Sequence, residues 1–145
     1  MAITTGLVNS IKQIGADAIA PSASTLKIAL IKVGATGTYD QTYASAFATG
    51  LAGDECATAN GYTQGGIALG TRTAGPSVNI GWVDYADAVW TAVGALSAIG
   101  AVIFDSSQAN RVVGFIDFAG TKTATDAAFT VQIPGDAGNG LVRIA

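Results

Sequence analysis

Histidine is absent from all 145 residues. The chain therefore lacks the commonest general base and the commonest metal ligand, and hydroxyl–histidine–carboxylate nucleophile systems are excluded outright. Cysteine is almost absent: Cys56 stands alone, so no internal disulfide can form, and its thiol has no imidazole to activate it. Its reading is a small apolar filler, ahead of a reactive or intermolecularly bridged thiol. Charge is scarce as well, at 12% of residues, with seven Lys and Arg spread singly from Lys12 to Arg143 against ten Asp and Glu. No basic run offers phosphate backbones a footprint, and direct nucleic-acid binding is not expected.

What remains is half hydrophobic, with Gly, Ala, Ser and Thr filling much of the rest. Such a balance folds, and a chain of this length buries roughly 68–70% of its unfolded surface without staples. Residues 1–145 are expected to form one domain, with no repeat, heptad seam or linker. The N-terminus shows no basic segment followed by an apolar run, so an export signal is not expected. From Ala88 to Phe104 the chain carries no charge, close to the minimum of about 17 residues for a spanning helix. Val89, Trp90, Thr91, Val93, Val102, Ile103 and Phe104 favour strands, however, and Gly94 and Gly100 interrupt the run. Two buried strands are predicted there, and no membrane association.

Ile3, Leu7, Ile11, Ile14 and Ala18 share one face at helical spacing, so residues 1–20 are expected to form an N-terminal helix or arm, capped by Thr4 or Thr5 and ended before Pro21. It either packs on its own domain or reaches a neighbouring subunit. Leu26 to Val33 reads as a strand, and residues 34–60 as a long connection in which Tyr43, Phe47 and Leu51 suggest a short helix. After the turn dipeptide Asn60-Gly61, residues 62–69 lead into strand-like segments at about 78–85, 88–93, 95–104, 111–118, 127–133 and 140–144. Gly75-Pro76, Asp105-Ser106-Ser107 and Pro134 to Gly140 punctuate them with turn chemistry. Seven or eight antiparallel strands so spaced indicate a mainly β sandwich or barrel.

Chemistry is hard to place on this frame. Asp54 and Glu55 are adjacent, so on an extended segment they point to opposite faces, and loop solvation is expected of them rather than a paired catalytic role. Asp84 and Asp87 flank Tyr85-Ala86 between strands, where carboxylates accept local backbone hydrogen bonds; no calcium-loop pattern accompanies them. A carboxylate-only enzyme would have to use these two. Gly120-Thr121-Lys122-Thr123 lacks the register of a phosphate loop, and Gly65 to Gly70 lacks that of a dinucleotide loop and reads as a bulge or tight bend. No catalytic, metal or cofactor residue is assigned. Tyr62, Trp82, Tyr85, Trp90, Phe104, Phe115, Phe118 and Phe129 are expected in the core for the most part. Phe115 and Phe118 differ in strand parity, so one of them is expected to face outward or sit at a sheet edge, where it could anchor a partner.

Three segments, Gly61 to Leu69, Trp82-Val83-Asp84 with Ala88-Val89-Trp90, and Arg111 to Phe118, together resemble small virion proteins of tailed bacteriophages. The opening Met1 to Gln13 and the stretch Lys122 to Pro134 extend the resemblance over nearly the whole chain. The resemblance is to capsid cement, or decoration, proteins of short-tailed phages. It implies a jelly-roll-like β-sandwich on the outer surface of the capsid, made in the host cytoplasm, that binds major capsid protein and bridges its subunits as a homo-oligomer, a dimer before a trimer. The other reading is a phage tail, fibre or receptor-binding structural protein. The protein-interface residues are left unknown by the resemblance, since no contact motif carries over.

Overall fold

In the computed structural model, residues 2–3, 6–7, 26–47, 51, 53–77, 80–133 and 142–144 are described. The chain is mainly β, and no helical element stands among these residues. In order come β1 (Ala2–Ile3), β2 (Gly6–Leu7), β3 (Leu26–Ile31), β4 (Thr38–Tyr39), β5 (Ile67–Ala68), β6 (Arg72–Ser77), β7 (Ile80–Tyr85), β8 (Ala88–Thr91), β9 (Ala95–Asp105), β10 (Arg111–Thr125), β11 (Ala128–Val131) and β12 (Val142–Ile144). The largest sheet has the order β2-β10-β9-β3-β5. A ribbon of β11 and β8 and a sheet ordered β12-β7-β6 accompany it, all of them antiparallel, while β1 and β4 form a short parallel pair.

β9 is the central strand because its sequence suits burial on both faces. From Ala101 to Phe104 every side chain is buried, and β3 contributes Ile28 to Ile31 in the same way. Continuous apolar runs of this kind are excluded from water on both sides of a sheet, in contrast to alternating ones. β8 and β11 do alternate: Trp90, Ala88, Phe129 and Val131 face inward, and Val89, Thr91, Ala128 and Thr130 face outward. The charge-free run that opens at Ala88 is therefore two strands, as its composition indicates, joined at Gly94 in the left-handed region.

Turn chemistry places the strands. Asn60 and Gly61 both have positive φ, and Ala59 and Tyr62 exchange backbone hydrogen bonds across them at 3.1 and 2.9 Å. Asp105 Oδ1 accepts from the Ser107 N–H and hydroxyl at 2.9 and 2.6 Å, opening the loop to β10. Gly65 and Gly66 make the expected tight bend into β5, with a Cβ at Gly66 driven into the Ile28 carbonyl.

Several expectations need correction. Ile3 and Leu7, assigned to the amphipathic helix, stand in strand pairs with Tyr39 and Gly114. Residues 8–20 of the expected helix, and the turn 134–140, lie outside the described residues. Of the short helix suggested by Tyr43, Phe47 and Leu51, residues 43–46 are not helical, residues 48–50 lie outside the described residues, and the Leu51 N–H donates to the Phe47 carbonyl at 3.5 Å, the spacing of a helical bond. Gly75-Pro76 is no turn; it pairs with Trp82 and Gly81 inside β6, an edge strand, where proline removes no needed donor. β10 runs seven residues beyond the expected end at Phe118, after a bulge between Asp117 and Lys122 that takes five steps on β10 against two on β9.

The outer edge of β3 is closed over its length. β5 pairs with Lys27 and Ile28, the Cys56 N–H donates to the Leu30 carbonyl at 2.9 Å, and Glu55 bridges Ile31. Tyr62 fills the gap: its hydroxyl accepts the Leu30 N–H at 3.1 Å and donates to Glu55 Oε1 at 2.6 Å. Tyr62→Phe removes both bonds while keeping the ring, and is expected to destabilise the fold by about 1–3 kcal/mol, read from the urea midpoint.

Candidate protein interface

Asp54 and Glu55 are not solvated loop carboxylates, although they diverge as their adjacency requires. Asp54 is only 7% exposed. Its Oδ2 accepts the N–H groups of Thr36 and Gly37 at 2.9 and 2.8 Å and the Tyr39 hydroxyl at 2.7 Å, with the Lys32 ammonium 3.7 Å from Oδ1. Glu55 turns the other way and accepts from Tyr62 and from the Gly65 N–H at 2.6 Å. One dipeptide thus ties the two ends of the connection to β3. Burial alone would raise the Asp54 carboxyl, but its N–H donors, Tyr39 and Lys32 together hold it below its ordinary value.

The other carboxylates also act apart. Asp87 Oδ1 accepts the Ile133 N–H at 2.9 Å, a bond across the fold instead of the local one expected, and so anchors the end of β11. Asp84 pairs through its backbone with Thr73, and its Oδ1 has no hydrogen-bond partner. Among the described residues no three acidic or cysteine side chains gather where a metal ion could be held, and no helix is long and apolar enough to cross a membrane. The Cys56 thiol is buried beside the Ser97 carbonyl, at 3.5 Å, and burial pushes its pKa up to about 11. Gly120 and Lys122 belong to β10, so the segment Gly120 to Thr123 is strand.

The aromatic residues divide by face. Tyr62, Tyr85, Trp90, Phe104 and Phe129 are buried, as expected; for Trp82 only its place in β7 is described. Phe115 is 2% exposed and meets Tyr39 and Tyr43 with ring centroids 5.4 and 5.2 Å away. Phe118 is the residue of the pair that departs from the core: it is half-buried, 6.1 Å from the Phe129 ring.

Phe118 opens onto a groove of about 390 Å³ between β10 and β11. Ile116, Phe118, Ala124, Phe129 and Val131 give it apolar walls, and Thr123, Thr130 and Gln132 add uncharged polar groups. Of its lining residues Lys122 alone carries charge. Although β10 and β11 are consecutive, they are not paired with each other; β11 pairs with β8, and the distal part of β10 with β9. Next to the groove, the outer face of the β8–β11 ribbon continues without charge through Ala128, Thr130 and Thr91 to Val89, 50% exposed, and Val93, 67% exposed. Charge depletion around apolar and aromatic side chains is the composition of a protein-contact core. Strand parity narrows the outward aromatic to Phe115 or Phe118 without choosing between them, and it misses the groove because that depends on the bulge in β10.

Two measurements check the chemistry of the buried groups. A carboxyl whose folded pKa lies below its unfolded value of about 3.9 contributes stability above that value and loses it as pH falls through the folded pKa. Asp54→Asn is therefore expected to cost about 2 kcal/mol at pH 7, with the gap to wild type closing as pH drops below ~4. The urea midpoint of both proteins against pH reads this directly. Native Cys56 is expected to resist a chromogenic disulfide reagent at pH 8 and to react promptly once urea unfolds the chain.

Compared with known protein families, curated proteins and solved structures, the chain matches none.

Proposed function

We propose that the protein is a bacteriophage capsid cement protein that works by binding, not by catalysis. It takes the jelly-roll-like β-sandwich form implied by its resemblance to decoration proteins, sits on the outer surface of the head, and bridges major capsid protein subunits as a homo-oligomer, a dimer before a trimer. The observation that carries the reading is the groove between β10 and β11, continuous with the charge-free outer face of the β8–β11 ribbon. A sandwich reading is supported by the inward aromatics of that ribbon: Trp90 lies 5.9 Å from the Tyr62 ring, and Phe129 lies 6.1 Å from Phe118.

The physical logic fits repetitive shell binding. Short side chains such as Ala128, Thr130 and Val89 lose little rotamer freedom when covered, so a modest interface keeps more of its contact energy. Many equivalent copies on one shell then multiply a weak contact into lasting attachment.

Co-sedimentation of the purified protein with empty heads that lack it tests the reading. Stoichiometric pelleting is expected, with heads more resistant to heat and no binding to unassembled capsid subunits. Ala128→Glu, an exposed position, is expected to weaken pelleting by about tenfold or more, because a lone charge is costly to bury, while the urea midpoint stays put. Failure of the wild type to pellet with heads overturns the proposal, and pelleting with purified tails instead would favour the tail or fibre reading.

A further inference from the structure

The geometry points to β-strand addition as the way the groove binds: an extended segment of a partner chain, apolar at alternate positions and carrying a carboxylate, lies along the free edge of β11. The inference rests on the groove being the contact face, and it specifies the chemistry of the occupant.

The edge is built for a strand. The Ala92 N–H donates to the Ala127 carbonyl at 2.9 Å, and the Ile133 N–H donates to Asp87 on the β8 side at 2.9 Å. Antiparallel pairing alternates, so residues 127, 129, 131 and 133 direct their backbone groups toward β8, and Ala128 and Thr130 direct theirs toward the groove. No strand pairs with that edge among the described residues. Water or an incoming backbone must satisfy it. Two residues of the occupant spaced by two would place apolar side chains between Phe118 and Phe129, and intervening ones would lie on the solvent side, within reach of the long, exposed Lys122 side chain.

Charge selects within that class. Lys122 is the only ionised side chain on the groove walls, so a carboxylate beside it is favoured and a second cation is repelled. A second copy of this chain fits less well, because its own groove edge brings a second Lys122 and no carboxylate among the lining residues.

Thr130→Pro isolates the effect. The Thr130 N–H takes no part in the pairing with β8, so proline there removes a groove donor without removing a ladder bond, and Thr130→Val keeps the donor as a control. The probe is the peptide acetyl-Ser-Val-Glu-Val-Ser-Val-amide at millimolar concentration, followed by amide shifts and hydrogen exchange. Protection of the Ala128 and Thr130 amides in the wild type and Thr130→Val, at least tenfold weaker binding to Thr130→Pro, and weaker binding of the Lys-for-Glu peptide are expected. Absence of protection in the wild type overturns the inference even if the proline variant does not fold. Equal binding by a folded Thr130→Pro overturns it too, as does a homo-oligomer that dissociates on that substitution without peptide, which would assign the edge to a second copy. With heads as the probe, a folded Thr130→Pro that pellets like wild type removes strand addition and leaves the cement reading intact. Wild type that does not pellet removes the cement reading alone, and the peptide result then decides.

Discussion

Backbone groups on an outer strand need partners, and the rest of this structure depends on how β3 acquires them. Its inner edge is fully engaged with the central strand β9, from Leu26 opposite Asp105 to Ile31 opposite Gly100. Its outer edge is met by fragments: two residues of β5, the backbone of Glu55 and Cys56, and a tyrosine hydroxyl between them. None of these is a strand long enough to stand alone. They hold because Asp54 and Glu55 each gather several donors, so a connection with little regular structure closes against the sheet as one unit. A buried carboxylate stripped of such donors would cost several kcal/mol; with three donors and a nearby ammonium it organises the segment instead.

The contrast with the other side of the sheet bears on function. Among the described residues β10 is paired outward at Arg111, with Ala46, and at Gly114 and Phe115, with β2. Beyond Phe115 no strand covers it among the described residues, and β11 turns its own unpaired edge toward the same space. Two carboxylates, a tyrosine and a left-handed bend seal the outer edge of β3, whereas among the described residues no strand pairs with the edges beside the apolar groove. Open edges invite indiscriminate pairing.

Local chemistry made much of the frame legible. Asn60-Gly61 and Asp105-Ser106-Ser107 act within their own turns, and the alternation around Trp90 and Phe129 places them in strands whose inward faces carry the aromatics. Legibility failed where the deciding partner is remote in sequence. Nothing near Asp54 signals that Thr36, Gly37 and Tyr39 will converge on it, and nothing near Asp87 signals Ile133. The Gly75-Pro76 pair misled for a related reason: proline breaks a strand only where its missing N–H is needed, and edge position is a property of the sheet. Helical spacing at Ile3 and Leu7 was overruled by pairing with Tyr39 and Gly114, since propensity yields to tertiary contacts.

The groove itself originates in one irregularity. Between Asp117 and Lys122 the register with β9 slips, Ala119 adopts a φ of 53°, and Gly120 one of 123°. A left-handed alanine is unfavourable by about 1–2 kcal/mol, and the Asp117 carboxylate offsets this by accepting the Ala119 N–H at 2.9 Å. Bulges bend and twist the strand that carries them. β11 prolongs β10 in the same direction: Thr125 lies opposite Ala95, the Asp126 N–H donates to the Gly94 carbonyl, and Ala128 lies opposite Thr91. Along this run the bend brings Phe118 within 6.1 Å of the Phe129 ring, and the groove is lined by residues from both sides of it, Ile116 and Phe118 before and Ala128 to Gln132 after.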